Sequence, residues 1–274
     1  MSNQQLKLNY KIDIASMSLV ELKQWISGQQ HIKGSIIKEL KNDSRKTTTK
    51  LAERCILKNK KMEKEQDRIE SIKEIEGNLH KKGYKYIAGV DEAGKGSLAG
   101  PVTAAAVIFP EDVNWLEVND SKKLTTEKRE NLYSKIINQA LAVGIGMVSV
   151  DEINEIGISM ANRLAMKKAV NNLYFEPDFV LIDCIEVDLK YPSNSIVQGD
   201  SRCFCIAAAS IIAKVTRDRK MIKLSGEYPE YGLEDNKGYG TSMHQKAVKK
   251  HGYCEVHRKN FNFNTVKSYQ KLNF

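Results

Sequence analysis

The sequence predicts an α/β domain, in which helices cover both faces of a sheet, preceded by a basic helical region. From Tyr84 onward, apolar segments of strand length alternate with segments of helical periodicity. Before Tyr84, apolar residues recur at helical spacing within a lysine-rich background. We therefore assign residues 1–80 to the basic helical region, and residues 81–274 to the α/β domain with a helical C-terminal part.

The first 80 residues contain three helical patterns. Ser18 and Glu21 have the spacing of a capping box, which predicts a helix that begins after Ser18. A second short helix is predicted around Leu40. A third should begin near Thr47 and end before the break at Gly83.

The strands and helices of the second region follow in order along the chain. The predicted strands are Tyr86–Val90, Val102–Phe109, Val143–Val150, Phe179–Ile182 and Ser195–Gly199. The predicted helices are Thr125–Ala140, Ile158–Leu173, Cys203–Leu224 and Thr241–His251. Strands that alternate with helices in this way predict a sheet with helices on both faces.

The composition argues against export and membrane insertion. No apolar run approaches the roughly 20 residues that span a bilayer, and the N-terminus lacks a secretory pattern. We therefore expect a cytosolic protein without a membrane partner. The five cysteines share no Cys-x-x-Cys spacing, which fits a reducing compartment and predicts neither a disulfide framework nor a structural zinc site. Cys203 and Cys205 are interpreted as thiols that pack within a helix, with metal binding as the alternative.

The positive charge is concentrated in the first part of the chain. The net charge is +9, of which residues 1–82 contribute +7. A basic segment attached to a nearly neutral body indicates a polyanionic partner that the segment attracts through phosphate groups. The alternative is a lysine-rich helical surface that only faces solvent.

Acidic side chains follow two of the predicted strands. Asp91 and Glu92 come directly after Val90, where a glycine turn would let both carboxylates reach one point. Asp183 ends an apolar strand, at the edge where α/β sheets gather their ligands. Asp200 precedes the long helix and is either a fourth acid of this group or the N-cap of that helix.

Four carboxylates without a histidine or cysteine at comparable positions favour a hard cation. Mg²⁺ or Mn²⁺ suits such oxygen ligands better than zinc does. Two such ions about 4 Å apart can activate a water molecule and stabilise the departing oxygen in phosphodiester cleavage. This chemistry agrees with the polyanionic partner that the charge indicates.

Six segments of the second region stand out, and they are GVDEAGKGSLAGPV from Gly89, DSKKL from Asp120, LID from Leu181, GDS from Gly199, AAASIIAKVTRDR from Ala207 and KGYGT from Lys237. In this order they resemble the motifs of the ribonuclease HII family, and the resemblance covers about residues 84–260. The resemblance implies a ribonuclease H-like fold with a central mixed sheet of about five strands. It also implies that Asp91, Glu92, Asp183 and Asp200 bind the Mn²⁺ or Mg²⁺ ions.

The resemblance further implies cleavage on the 5′ side of ribonucleotides, in RNA–DNA hybrids and at single ribonucleotides in duplex DNA, which leaves 3′-hydroxyl and 5′-phosphate ends. The implied substrate-binding residues are Gly94, Lys95, Gly96, Ser121, Lys122, Lys123, Lys214 and Tyr239. Lys95 replaces the arginine of the family motif and loses its planar fork. Cys184 stands where the family usually has glycine.

Three alternatives remain at this level. Ribonuclease HIII is related but lacks the glycine motif around Lys95, and a 3′–5′ exonuclease also uses four carboxylates. A binding protein that keeps the fold without catalysis is the third. We expect a monomer that binds nucleic acid, and no short clamp-binding motif at the C-terminus names a protein partner.

Overall fold

The structure is a computed structural model that describes residues 13–113, 124–259 and 261. The chain divides into two compact units, Met1–Arg68 and Ile69–Phe274, called here the N-terminal unit and the larger unit. The division falls within helix α3, which spans Lys46–Lys81.

The N-terminal unit is helical, as the sequence predicts. It contains α1 (Leu19–Gly28), α2 (Gly34–Asn42) and the first part of α3. The predicted capping box is confirmed, because the Ser18 hydroxyl accepts a hydrogen bond from the Glu21 N–H and the Glu21 carboxylate accepts one from the Ser18 N–H. The core of the unit consists of Ile14, Leu22, Ile26, Ile32, Leu40, Leu51, Ala52 and Cys55.

The larger unit is built on a mixed five-stranded sheet. The strands are β1 (Ile87–Ala93), β2 (Val102–Ile108), β3 (Ala142–Val148), β4 (Phe179–Asp183) and β5 (Ser193–Ile196). Their order across the sheet is β3-β2-β1-β4-β5. The pairs β1–β2 and β2–β3 are antiparallel, whereas β1–β4 and β4–β5 are parallel. The predicted mixed sheet is confirmed.

Helices cover both faces of this sheet. They are α4 (Thr126–Gln139), α5 (Val150–Ile156), α6 (Ile158–Asn171), α7 (Gly199–Arg202), α8 (Phe204–Glu227), α9 (Leu233–Asn236) and α10 (Ser242–His251). The core on one face joins α8 and α4 to the sheet, and the core on the other face joins α6 to it. The start of α8 lies so close to β1 that a Cβ on Gly89 would overlap the backbone of Cys205. Within the described ranges, no helix is long and apolar enough to cross a membrane.

Two of the predicted strands include residues that begin helices in the structure. The strand predicted to reach Val150 ends at Val148, because Ser149 and Glu152 form a capping box that begins α5. The strand predicted over Ser195–Gly199 ends at Ile196, and Gly199 begins α7 instead.

Candidate active site

Three of the four predicted acids converge at one edge of the sheet. Asp91 and Glu92 lie on β1, and Asp183 is the last residue of β4. One carboxylate oxygen from each of the three lies within 4.8 Å of the other two. These oxygen atoms are close enough to be ligands of one cation.

The acids reach this point by a different route from the predicted one. The sequence predicts that β1 ends at Val90 and that Asp91 and Glu92 occupy the following turn, which is wrong. The strand continues to Ala93, and both acids remain paired with β2. Neighbouring side chains in a strand point to opposite faces. Their carboxylates nevertheless meet, at the point where the pairing of β1 with β4 has ended at Val90 and the acids lie beyond the last β4 pair.

Burial and like charges act on the most enclosed of these acids. Asp91 is 5% exposed. Burial, together with the neighbouring Glu92 and Asp183 carboxylates, raises its pKa well above the ordinary value for aspartate. The Ser210 hydroxyl and the Glu92 N–H, which donates to Asp91 Oδ1 at 2.7 Å, act in the opposite direction. A bound cation would remove this repulsion, so the donor set fits a divalent ion.

Asp200 lies beside this cluster and outside the set of three. It is the second residue of α7, and Cys203 is the N-cap of α8, so the alternative of Asp200 as the cap of the long helix is wrong. The preceding Gly199 N–H donates to Asp183 Oδ1 at 2.6 Å. Gly199 therefore contacts the cluster directly, and Asp200 is the next residue in the chain.

The residue after Asp183 explains the glycine of the family motif. Cys184 has a φ of 61°, in the left-handed region that glycine adopts without strain. In this chain a cysteine side chain occupies that conformation and lies within electrostatic range of Lys95, Glu92 and Asp200.

The glycine motif begins a loop, and two buried arginines donate hydrogen bonds to this loop from the protein interior. Arg217 of α8 is fully buried and donates to the carbonyl oxygens of Pro101 and Ala99 at 2.9 and 3.1 Å, and to the Ser97 hydroxyl at 2.7 Å. A Cβ on Gly94, whose φ is 89°, would overlap the Arg217 guanidinium. Gly94 is therefore required by both its conformation and its neighbour.

Arg258 is the second buried arginine beneath this loop. It is fully buried, and its guanidinium donates to the carbonyl oxygens of Gly94, Lys95 and Gly100 at 2.7, 3.0 and 2.9 Å. Burial and the charge of Arg217 lower its pKa to about 9. The carbonyl oxygens of the motif thus point inward to Arg258. The N–H groups of Lys95 and Gly96 donate to no acceptor in the part of the chain that the structure describes.

The segment that carries Tyr239 is linked to the glycine loop through Arg217. Arg217 donates to the Lys237 carbonyl oxygen at 2.9 Å, and the Leu98 N–H donates to the Gly238 carbonyl oxygen at 2.8 Å. The Tyr239 ring is half-buried, with Lys214 Nζ and the Arg217 guanidinium 5.4 and 5.3 Å from its centre.

Not every predicted substrate-binding residue can be placed. Ser121, Lys122 and Lys123 lie outside the described residues. Lys214 of α8 is described, and its ammonium group pairs with the Asp218 carboxylate at 2.8 Å.

Sequence reasoning missed the role of both buried arginines. Arg217 carries a signal, since it continues an alanine-rich apolar run in α8, whereas nothing near Arg258 sets it apart.

Clustered carboxylates at the edge of a mixed α/β sheet, beside a glycine loop, define a site of the metal-dependent nuclease class. The chain belongs to the ribonuclease HII family, whose model, described as Ribonuclease HII, matches residues 88–265. It is therefore a ribonuclease H, an endonuclease that hydrolyses RNA in RNA–DNA hybrids.

Individual relatives agree with this assignment. Ribonuclease HII of Bacillus licheniformis is 42% identical over 246 residues, which cover 90% of this chain and 96% of the relative. The crystal structure of ribonuclease H2 from Pyrococcus horikoshii OT3 superposes with a TM-score of 0.56 at 28% identity, over 69% of this chain and 100% of that one. Bst-RNase HIII in complex with Mn²⁺ shares the fold, with a TM-score of 0.53 at 20% identity over 71% and 72% of the two chains.

Proposed function

We propose that this endonuclease cleaves on the 5′ side of a ribonucleotide, both in RNA–DNA hybrids and at single ribonucleotides embedded in duplex DNA. The products are 3′-hydroxyl and 5′-phosphate ends. The observation that carries the proposal is the convergence of Asp91, Glu92 and Asp183 within 4.8 Å, next to a loop whose Lys95 and Gly96 N–H groups donate to no acceptor among the described residues.

In this proposal Asp91, Glu92, Asp183 and Asp200 hold divalent ions, either Mg²⁺ or Mn²⁺. The acids offer only hard oxygen ligands, and the mutual repulsion that raises the pKa of Asp91 favours a cation among them. Two such ions would supply an activated water and charge stabilisation at the departing oxygen. The protein positions the acids through the ends of β1 and β4, while the Gly199 N–H orients Asp183.

Recognition of the ribose is assigned to the glycine loop. A protein distinguishes RNA from DNA through the 2′-hydroxyl, which both donates and accepts hydrogen bonds. The N–H groups of Lys95 and Gly96 are available as donors, and a Cβ on Gly96 would meet nothing within 4 Å. That open space lets a sugar–phosphate backbone approach the loop closely. Lys95 adds positive charge without the bidentate geometry of arginine.

Tyr239 is assigned to the sugar beside the cleavage site. Its ring is half-buried, and its loop is bonded to the glycine loop through Arg217 and Gly238. An aromatic ring at this position can pack against a deoxyribose, which distinguishes the junction of a single ribonucleotide with DNA from continuous RNA.

The test is cleavage of an end-labelled DNA duplex that contains one ribonucleotide, in Mg²⁺, in Mn²⁺ and in EDTA. We expect a single nick on the 5′ side of the ribose in either metal and none in EDTA. Cleavage of a long RNA–DNA hybrid without cleavage of this duplex would contradict the embedded-ribonucleotide activity and favour HIII-like specificity.

Asp91→Asn tests the acids in the same assay. The amide keeps the volume of the side chain but removes a charge that would hold the metal, so we expect cleavage to fall at least about 10³-fold, or about 4 kcal/mol. Asp188→Asn is the matched control, since the Asp188 side chain is fully exposed, and it should cleave like the wild type. Binding of the hybrid without cleavage by the wild type would support the alternative of a non-catalytic binding protein.

A further inference from the structure

A second group of potential metal ligands lies on the larger unit and shares no residue with the carboxylate cluster of the candidate active site. Glu76 of α3, Cys203 and Cys205 each offer one ligand atom, and these three atoms lie within 4.8 Å of one another. Cys203, Cys205 and the Glu76 Oε2 atom are buried, and the two sulfur atoms are 3.4 Å apart. Two thiols and a carboxylate form a softer donor set than the all-oxygen group around Asp91.

A hydrogen bond to the first turn of α8 accounts for only one of the two carboxylate oxygens of Glu76. Glu76 Oε1 accepts a hydrogen bond from the Cys205 N–H at 2.8 Å, at the first turn of α8. Glu76 Oε2 is also buried but has no hydrogen-bond partner in the described part of the chain. A buried carboxylate oxygen without a partner costs free energy, and its position beside two thiols calls for a further ligand.

The nearby lysine does not provide that partner. Lys73 and Glu76 both line a cavity of about 200 Å³, which Cys205 also borders. The Lys73 ammonium group donates to the Val113 carbonyl oxygen and lies 5.1 Å from the centre of the Phe204 ring. The cavity leaves room for a small ligand beside Glu76 and Cys205.

We propose that Glu76, Cys203 and Cys205 bind a thiophilic divalent ion of the Zn²⁺ or Cd²⁺ type. Tetrahedral zinc with Zn–S distances near 2.3 Å separates two sulfur ligands by about 3.8 Å, so the thiols need to move apart by only a few tenths of an ångström. The cavity leaves a fourth position for water. The ion would link α3 to the start of α8, three residues after Asp200, and this structural site is separate from the proposed catalytic metals.

A disulfide between Cys203 and Cys205 would explain the two close sulfur atoms but not the buried glutamate oxygen beside them. It would use the two sulfur atoms but would leave Glu76 Oε2 without a partner. Burial raises the pKa of Glu76 and of both thiols, and cation binding to such groups is coupled to the loss of any protons they carry.

The test is a Cd²⁺ titration of the full-length, metal-free protein in a phosphine reductant, with excess Mg²⁺ present to occupy the carboxylate site. Thiolate-to-cadmium charge-transfer absorption reports binding to sulfur, and equilibrium dialysis with elemental analysis reports the stoichiometry. We expect the absorption to saturate at one Cd²⁺ per chain, and Cd²⁺ to raise the melting temperature of the wild type. No thiolate absorption in the wild type would overturn the proposal.

Variants identify the ligands. Cys203→Ser and Cys205→Ser should each weaken Cd²⁺ binding at least about tenfold and reduce the absorption. Cys254→Ser is the control, because the Cys254 sulfur lies 3.1 Å from His257 Nδ1 and this thiol–imidazole pair could compete for Cd²⁺. Absorption that is lost in Cys254→Ser but retained in Cys203→Ser and Cys205→Ser would overturn the assignment.

Glu76→Gln keeps the test decisive if a serine variant does not fold. The amide preserves the side-chain volume and can still accept the Cys205 hydrogen bond, while both thiols remain. We expect it to retain the charge-transfer absorption but to bind Cd²⁺ at least about tenfold more weakly, whereas unchanged affinity would exclude Glu76 as a ligand.

Discussion

Replacing Gly94 by alanine should destabilise the protein far more than the same replacement at Gly96, two residues later in the same motif. Gly94 has a φ of 89°, and a Cβ there would overlap the Arg217 guanidinium. Gly96 has no such constraint, since a Cβ at that position would meet nothing within 4 Å. The two glycines are equivalent in the sequence motif but not in the structure.

The magnitude follows from three contributions. The left-handed backbone of an alanine costs about 1–2 kcal/mol. Displacing Arg217 weakens at least one of its four charge-assisted hydrogen bonds, at about 1.5–3 kcal/mol for a bond to a charged group. The lower entropy of the unfolded chain returns about 0.4–1 kcal/mol. The free energy of unfolding should therefore fall by about 2–4 kcal/mol in Gly94→Ala, and by less than about 0.5 kcal/mol in Gly96→Ala.

The assay is urea denaturation of the wild type and both variants, followed by far-ultraviolet circular dichroism. Arg217 is fully buried and cannot move into solvent, so we do not expect relaxation to rescue Gly94→Ala. Equal free energies of unfolding for the two alanine variants would refute the argument that the position of Arg217 is fixed and excludes a Cβ at Gly94.

Three further predictions follow from single residues. Tyr239→Ala should reduce cleavage at a single embedded ribonucleotide at least about tenfold more than cleavage of a long hybrid, measured as kcat/KM, whereas the exposed Tyr253→Ala should change neither. Cys184→Gly should raise the free energy of unfolding by about 0.5 kcal/mol, because it removes a left-handed side chain at the expense of chain entropy, and a loss above about 1 kcal/mol in urea denaturation would contradict this. Burial lowers the pKa of His257 to about 4, below its ordinary value of 6.5, so the unfolded chain takes up the proton first and stability falls as pH drops from 6.5 to 4. His257→Gln should flatten that loss in denaturation curves recorded across this range, and an unchanged pH slope would show that another group causes it.

Local patterns in the sequence were sufficient for most elements of the fold. Helix α8 was predicted from Cys203 to Leu224 and runs Phe204–Glu227, because a long apolar run without a breaker has few other solutions. The capping box at Ser18 was equally reliable, since it depends only on residues three apart in the chain. Predicted boundaries were wrong where two local signals competed. At Ser149 the apolar pattern of the strand continues into the residues that begin α5.

The candidate site was only partly accessible in this way. The motifs named Asp91, Glu92 and Asp183, but their convergence depends on where the pairing of β1 with β4 ends, which is a property of the sheet. Asp200 could be named from the sequence, whereas its place in α7 and its neighbour's bond to Asp183 could not.

The sequence by itself determined the family through its motifs, and the alternation of strands and helices and the acids after the strands through local patterns. Each of these depends on residues that are close together in the chain. Only the tertiary structure decided that Arg258 holds the carbonyl oxygens of a loop more than 150 residues before it in the chain. It also decided that Glu76 meets Cys203 and Cys205. Contacts between residues so far apart in the chain depend on how helices pack against the sheet, and no local pattern carries that information.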